Sequence, residues 1–157
     1  MAEVRFWVPG IPIAKGSMKA VGRKGGKVHL INDNKKTKPW QKEIAWAAMA
    51  CSFKGEPDAE CAWAVFVDFY FERTESSKRK FPTTKPDGDK LLRTVFDALT
   101  GVVYADDSQV TSWGGDKHFV GDGSRAAGIS VTVKMLGFSE AKEKARRRPI
   151  RESAASR

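Results

Sequence analysis

Two aspartates one residue apart, Asp87 and Asp89, stand in a Pro-Asp-Gly-Asp turn, and the chain beyond carries Arg93, Asp97 and then the pair Asp106-Asp107. Carboxylates gathered this closely repel one another unless a cation joins them. A hard dication with oxygen ligands is the natural candidate, since Mg²⁺ takes one or two carboxylates, keeps several waters and accepts a substrate phosphate. A zinc site is disfavoured: Cys51 and Cys61 lack a C-x-x-C spacing, and His29 and His118 lie far apart in the chain. A blander use of the same residues is equally compatible with their spacing. In it Asp87 or Asp89 caps a helix, and Asp89–Arg93 is an ordinary i, i+4 ion pair on a solvated face.

Either use needs a helix. Leu92, Val95, Phe96 and Leu99 recur at the i, i+3, i+4, i+7 spacing of a core-facing stripe, and Gly101 stands where a helix end often needs φ > 0. At about 100° per residue, Asp89, Arg93 and Asp97 form a second stripe beside the apolar one, as on the wall of a cleft. With Asp106 and Asp107 returning after a short connection, the acidic groups and Arg93 are expected to meet at one end of this helix.

The stretch Asp87-x-Asp89-Lys-Leu-x-Arg93-x-x-x-Asp97-Ala-Leu-Thr, followed by Asp106-Asp107-x-Gln109-Val110, resembles the signature of the RusA family of Holliday-junction resolvases. The shared segment runs from about Lys85 to Val110, and several spaced residues match at once. The family has cellular, prophage and phage members, and a phage or prophage origin is expected here. The resemblance implies a small homodimeric, Mg²⁺-dependent endodeoxyribonuclease, with Mn²⁺ able to substitute, that cuts four-way DNA junctions. The family's metal-binding aspartates fall on Asp87, Asp89 and Asp107, and its basic catalytic residue falls on Arg93. Asp97 and Asp106 are candidates for supporting positions around them. The sequence departs from the family pattern at Lys90, where asparagine is frequent, and at Arg93, where lysine is usual. Arginine cannot give up a proton as lysine can, so Arg93 fits charge stabilisation rather than acid catalysis.

The charge agrees with a polyanionic partner. Lysine and arginine number 28 against 19 aspartates and glutamates, a formal net charge of +9 over 157 residues, and such an excess attracts phosphate. Two segments concentrate it. Lys15 to Lys27, with Lys19, Arg23, Lys24 and several glycines, reads as a flexible phosphate-gripping arm or a solvated turn. Glu72 to Lys85, with Arg79 and Lys80, reads as a polar loop leading into the acidic turn, and Lys85 and Lys90 flank that turn. Neither has P-loop spacing, so no nucleotide cofactor is expected. With no apolar run of membrane-spanning length and no signal peptide, a cytoplasmic protein is expected, in the host cytoplasm if phage-encoded.

The remaining chain supplies a scaffold. Val4–Val8 reads as a strand, and Lys27–Ile31 as the returning strand of a hairpin. Thr37-Lys38-Pro39 opens a helix whose inner stripe is Trp40, Ile44, Ala47, Ala48 and Cys51, with Trp46 pointing away from it. Ala62–Phe71 is a strand with Trp63, Val65, Val67, Phe69 and Phe71 on one face. Asp68 shares its other face, as a further acidic neighbour of the site or, more simply, an edge charge or a satisfied core carboxylate. Gln109–Trp113 and Lys117–Val120 read as a strand broken or bulged at Gly114-Gly115, and Gly128–Met135 as a closing strand. The expected fold is α+β: one domain over residues 1–138, with a mixed sheet built from hairpins and two main helices, and a basic, disordered tail over 139–157. Two other functions suit the same residues. One is a branched-DNA-binding protein that has lost catalysis. The other is a metal-dependent phosphohydrolase of small nucleotides.

Overall fold

The computed structural model describes residues 3–16, 18–22, 29–32, 34–51, 58–121, 123, 126–138 and 143, with backbone alone for 18–21 and 29–32. The longest internal strand organises the rest. Alternation along Cys61–Phe71 (β4) buries Trp63, Val65, Val67 and Phe69 on one face and leaves Phe66, Asp68 and Tyr70 on the other. β4 pairs antiparallel with Gly128–Phe138 (β6) and parallel with Val110–Phe119 (β5). β6 in turn pairs antiparallel with Glu3–Pro9 (β1), giving the four-stranded mixed order β1-β6-β4-β5. Met18–Val21 (β2) and His29–Asn32 (β3) form a separate antiparallel pair.

The helices Thr37–Ala50 (α1) and Gly88–Leu99 (α2) pack on each other, α1 also against β1 and α2 against β5. Between helices and sheet lies one core that includes Val8, Ile44, Val65, Phe69, Leu91, Val95, Leu99 and Ile129. The chain is thus a single α+β domain with a mixed sheet and two helices, as expected. Among the described residues, no helix is long and apolar enough to cross a membrane. The basic tail expected over 139–157 lies outside the described residues, apart from Glu143.

Several local expectations change. Neighbouring strands of the four-stranded sheet are not joined by hairpins: β2–β3 is the hairpin, and it stands apart. β4 reaches β5 through α2 because parallel neighbours need a crossover, commonly a helix. Met18–Val21, expected within a flexible arm, is strand β2. The closing strand is an interior one, lying between β1 and β4.

β5 runs unbroken through Gly114-Gly115. The glycines serve close approach rather than a break: a Cβ on Gly115 would sit 3.1 Å from both the Leu92 side chain and the Val67 carbonyl, and one on Gly114 3.2 Å from the Phe66 ring. The buried face of α2 comprises Leu91, Thr94, Val95, Ala98 and Leu99, with Leu92 and Phe96 half-buried. The arc is wider than the apolar stripe because α2 has two neighbours, α1 and β5. Thr94 tolerates burial because its hydroxyl donates to the Lys90 carbonyl at 3.1 Å.

Candidate active site

The turn before α2 leaves its acid free. Asp87 occupies the N-cap position in an extended conformation, yet its side chain makes no capping hydrogen bond. The capping role open to it on sequence grounds is therefore unused. Its carboxylate faces cations instead, with Lys90 Nζ 3.4 Å from Asp87 Oδ2. From the strand side, Lys117 of β5 donates to the Thr84 carbonyl at 2.6 Å and the Pro86 carbonyl at 2.9 Å. Burial lowers the Lys117 pKa, and the charge of Asp87 partly opposes that shift.

The connection after β1 closes over this turn. The Lys15 amide donates to the Lys90 carbonyl at 3.2 Å, and Lys15 Nζ pairs with Asp97 Oδ2 at 2.7 Å. Asn34 Nδ2 and the Thr37 hydroxyl both donate to the Ala14 carbonyl, at 3.1 and 3.2 Å, anchoring the connection to the start of α1. A groove of about 390 Å³ opens between the two segments, lined by Lys15, Asn34, Lys85, Asp87 and Lys90 among others. Three of the lysines expected to grip phosphate are thereby gathered around one of the expected metal ligands.

The other acids are placed differently. Asp89 and Arg93 are exposed on α2. Asp97 lies two helical turns beyond Asp89, about 12 Å along the axis at 1.5 Å per residue. Asp107 opens the 3₁₀ helix Asp107–Gln109. The buried Tyr104 hydroxyl donates to the Phe96 carbonyl at 3.0 Å, and its pKa is raised by burial, then by the charges of Asp107 and Asp97. Asp97 and Asp107 therefore share the field around Tyr104, while Asp87 and Asp89 occupy the amino end of α2. Asp89 and Asp97 thus stand toward opposite ends of α2, and Asp87, Asp89 and Asp107 do not all lie within 4.8 Å of one another. Asp106 caps the 3₁₀ helix, accepting the Ser108 amide at 2.8 Å, and its contacts with Ser108 hold its pKa below the usual carboxylate range.

Among the described residues, the trio within reach of a single cation is Asp68, Asp116 and His118, with His118 Nε2 2.9 Å from Asp68 Oδ1. Gly115 of β5 faces α2, so by alternation Lys117 shares that face while Asp116 and His118 point to the opposite one. This trio is therefore separated from Asp87 by the sheet.

The loop before the turn is tied down. The Arg73 guanidinium lies 4.2 Å over the Phe119 ring and donates to the Arg79 carbonyl, and Arg79 Nη1 donates to the Thr83 hydroxyl at 2.7 Å. Lys80 is exposed in the same loop, Lys19 lies on β2, and Arg23, Lys24 and Lys27 fall outside the described residues.

Two structural supports of the site were not assigned a role from sequence. Lys117 is one lysine among many, and its signal is the strand parity that links it to Gly115. Gln109 is the other. Its Oε1 accepts the Ala105 and Asp106 amides at 2.8 and 3.1 Å, and its Nε2 donates to the Asp58 and Cys61 carbonyls at 2.6 and 2.8 Å. It stitches the segment carrying Asp107 to the start of β4. Gln109→Ala is expected to lower unfolding free energy by about 1–3 kcal/mol, the usual cost of stranding part-buried polar groups. Urea denaturation reads this, and an unchanged midpoint would show that water replaces the amide without loss.

The family model described as Endodeoxyribonuclease RusA matches residues 9–134. The chain belongs to the RusA endodeoxyribonuclease family. The matched span takes in the groove, α2 and the Asp106–Gln109 cap of this RusA-family chain, and reaches into β6. The chain is also similar to the protein of Bacillus subtilis (strain 168) named "Uncharacterized protein YqaN", with 33% identity over 121 residues, covering 68% of this chain and 81% of that one.

Proposed function

We propose that this RusA-family chain is a Mg²⁺-dependent endodeoxyribonuclease that resolves four-way DNA junctions by phosphodiester hydrolysis. The observation that carries the reading is the groove in which Lys15, Lys85 and Lys90 surround Asp87. The donor set fits a hard cation: Asp87, Asp89 and Asp107 are all exposed and offer only oxygen, and Asp87 already draws Lys90 to 3.4 Å. Mg²⁺ commonly uses one or two carboxylates and completes its shell with water and phosphate, so it does not need all three aspartates at once. Mn²⁺ takes the same ligands.

When bound, the ion supplies charge neutralisation at the phosphate and a more acidic water. The chain supplies the rest. Lys15, Lys85 and Lys90 hold the phosphate backbone in the groove, and Arg79 and Lys80 extend the basic surface. Arg93 stabilises charge growing on the phosphate or the leaving oxygen, as a permanently protonated guanidinium can. Asp97 fixes Lys15 through their ion pair, and Asp106 caps the segment that carries Asp107. Two opposed strands of a junction must be cut, so a two-fold dimer matches the substrate's symmetry. Residues 1–138 form the nuclease unit and 139–157 a basic tail. Cys51 and Cys61, held as thiols, fit the reducing cytoplasm.

The test is cleavage of a synthetic four-way junction beside linear duplex of the same sequence, with Mg²⁺ or with excess EDTA. The junction should be cut in preference, only with metal. Full cutting in EDTA overturns the metal dependence. Metal-dependent binding without cutting supports the non-catalytic alternative, and preferential hydrolysis of nucleotides supports the phosphohydrolase.

A further inference from the structure

Lys117 comes from a strand, yet it ends on the turn that presents Asp87. Its stem passes the Phe71 ring, with Nζ 5.6 Å from the ring centroid, and its ammonium donates to the carbonyls of Thr84 and Pro86 on either side of Lys85. The other ties at the turn itself are short-range ones, the Asp87–Lys90 ion pair and the Leu91 amide donating to the Asp87 carbonyl. Pro86 carries no amide hydrogen, and the Asp87 side chain makes no capping bond to the helix. Lys117 is itself held firmly, because β5 is clamped between β4 and α2, with Gly115 two residues away allowing Leu92 and the Val67 carbonyl to close to van der Waals contact. A strand distant in sequence thus reaches across to tie the turn to the sheet.

We infer that Lys117 is a positioning residue for the hydrolytic site: by anchoring the Thr84 and Pro86 carbonyls, it sets where Asp87 stands relative to the lysine groove. The inference rests on the proposed role of Asp87. Its chemistry is that of an outer support, whose removal leaves the ligand present but misplaced; such supports commonly contribute about 10–100-fold to metal affinity or activity. Lysine suits the task because three donors on one ammonium can serve two carbonyls at once. The same charge also balances Asp87, which is close enough to oppose the fall in the Lys117 pKa.

The experiment compares full-length wild type, Lys117→Met, Lys117→Arg and Asp87→Asn. Three readouts are used: junction cleavage at saturating enzyme with Mg²⁺, gel-shift binding in EDTA, and amide hydrogen exchange. Lys117→Met keeps the apolar stem and removes the donors. Its cleavage should fall about 10–100-fold while junction binding stays at the wild-type level. Exchange should quicken at residues 84–91 and remain unchanged in β4 and β6. Lys117→Arg, which keeps charge and donors, should recover most of the cutting and the slow exchange.

Wild-type cutting by Lys117→Met beside an inactive Asp87→Asn overturns the inference and leaves the proposed function standing. Normal cutting by Asp87→Asn overturns both. Parallel loss of binding and cutting in Lys117→Met makes the lysine a phosphate contact and overturns positioning. Should Lys117→Met fail to fold, Lys117→Gln takes its place under the same criteria. Failure of both to fold also overturns the inference, since the lysine would then support the fold and not the turn.

Discussion

Asp107→Asn should yield a protein that holds a four-way junction and does not cut it. The substitution keeps the size of the side chain and removes the charge proposed to hold the ion. Binding in EDTA should persist or tighten, because one carboxylate fewer repels phosphate. Cleavage should fall by orders of magnitude, since the ion's charge stabilisation is worth several kcal/mol and each ~1.4 kcal/mol is tenfold in rate. Asp87→Asn should behave alike, and the pair asks a question the geometry raises. Asp87 sits at the amino end of α2, while Asp107 shares the surroundings of Tyr104 with Asp97. An inactive Asp87→Asn beside an active Asp107→Asn would assign the chemistry to the amino end alone. Asp116→Asn, on the sheet face away from α2, is the control and should cut normally. Arg93→Lys should keep some activity and Arg93→Ala should lose most of it. Cleavage rate at saturating enzyme, with gel shifts in EDTA alongside, measures all of these. Joint loss of binding and cutting in a folded Asp107→Asn would remove Asp107 from the site.

Neutralising Lys15, Lys85 and Lys90 together should weaken junction binding by about two to three orders of magnitude at 0.1 M salt. Each phosphate contact contributes roughly 0.9 log unit of affinity per log unit of salt on B-form DNA, so losing three contacts also flattens the salt dependence by roughly 2.7. Freed from Lys15 and Lys90, Asp97 and Asp87 would add repulsion in the same direction. Lys42, exposed on the outer side of α1, is the control, and Lys42→Gln should leave the slope unchanged. Titrating labelled junction at several salt concentrations in EDTA provides the measurement. A triple variant with a wild-type slope would mean that the groove does not touch DNA.

What could be read from residues alone follows the range of the interactions. The alternation of Trp63, Val65, Val67 and Phe69 is a local pattern, and all four are buried as it indicates. Thr37-Lys38-Pro39 opens α1, and Trp40, Ile44 and Ala48 are its buried side, by equally local rules. Trp46 is exposed as its place on the helix required. Partners distant in sequence were not legible. The Lys15–Asp97 pair joins residues 82 apart, and no spacing rule links them. Gly114-Gly115 suggests a break or a bulge because glycine weakens a strand taken alone. It is continuous because Leu92 and Phe66 need the room, and both belong to other elements. Losing that continuity hid the parity that aims Lys117 at the acidic turn. The separation of Asp89 and Asp97 was not legible for a related reason: sharing one helix stripe says nothing of the distance along its axis.

The place of β6 has a consequence for how the protein is made. β6 is the last strand of the sheet to leave the ribosome, and it lies between β1 and β4, pairing Glu3 with Lys134 in its β1 ladder. The first strand synthesised therefore waits through most of translation for its neighbour in the sheet, and closing so long a loop is entropically costly and slow. β4, α2 and β5 are contiguous and can assemble earlier, carrying Asp87, Asp107 and Lys117. Lys15 follows directly after β1, so the nascent chain holds its acids before its sheet secures the basic connection opposite them.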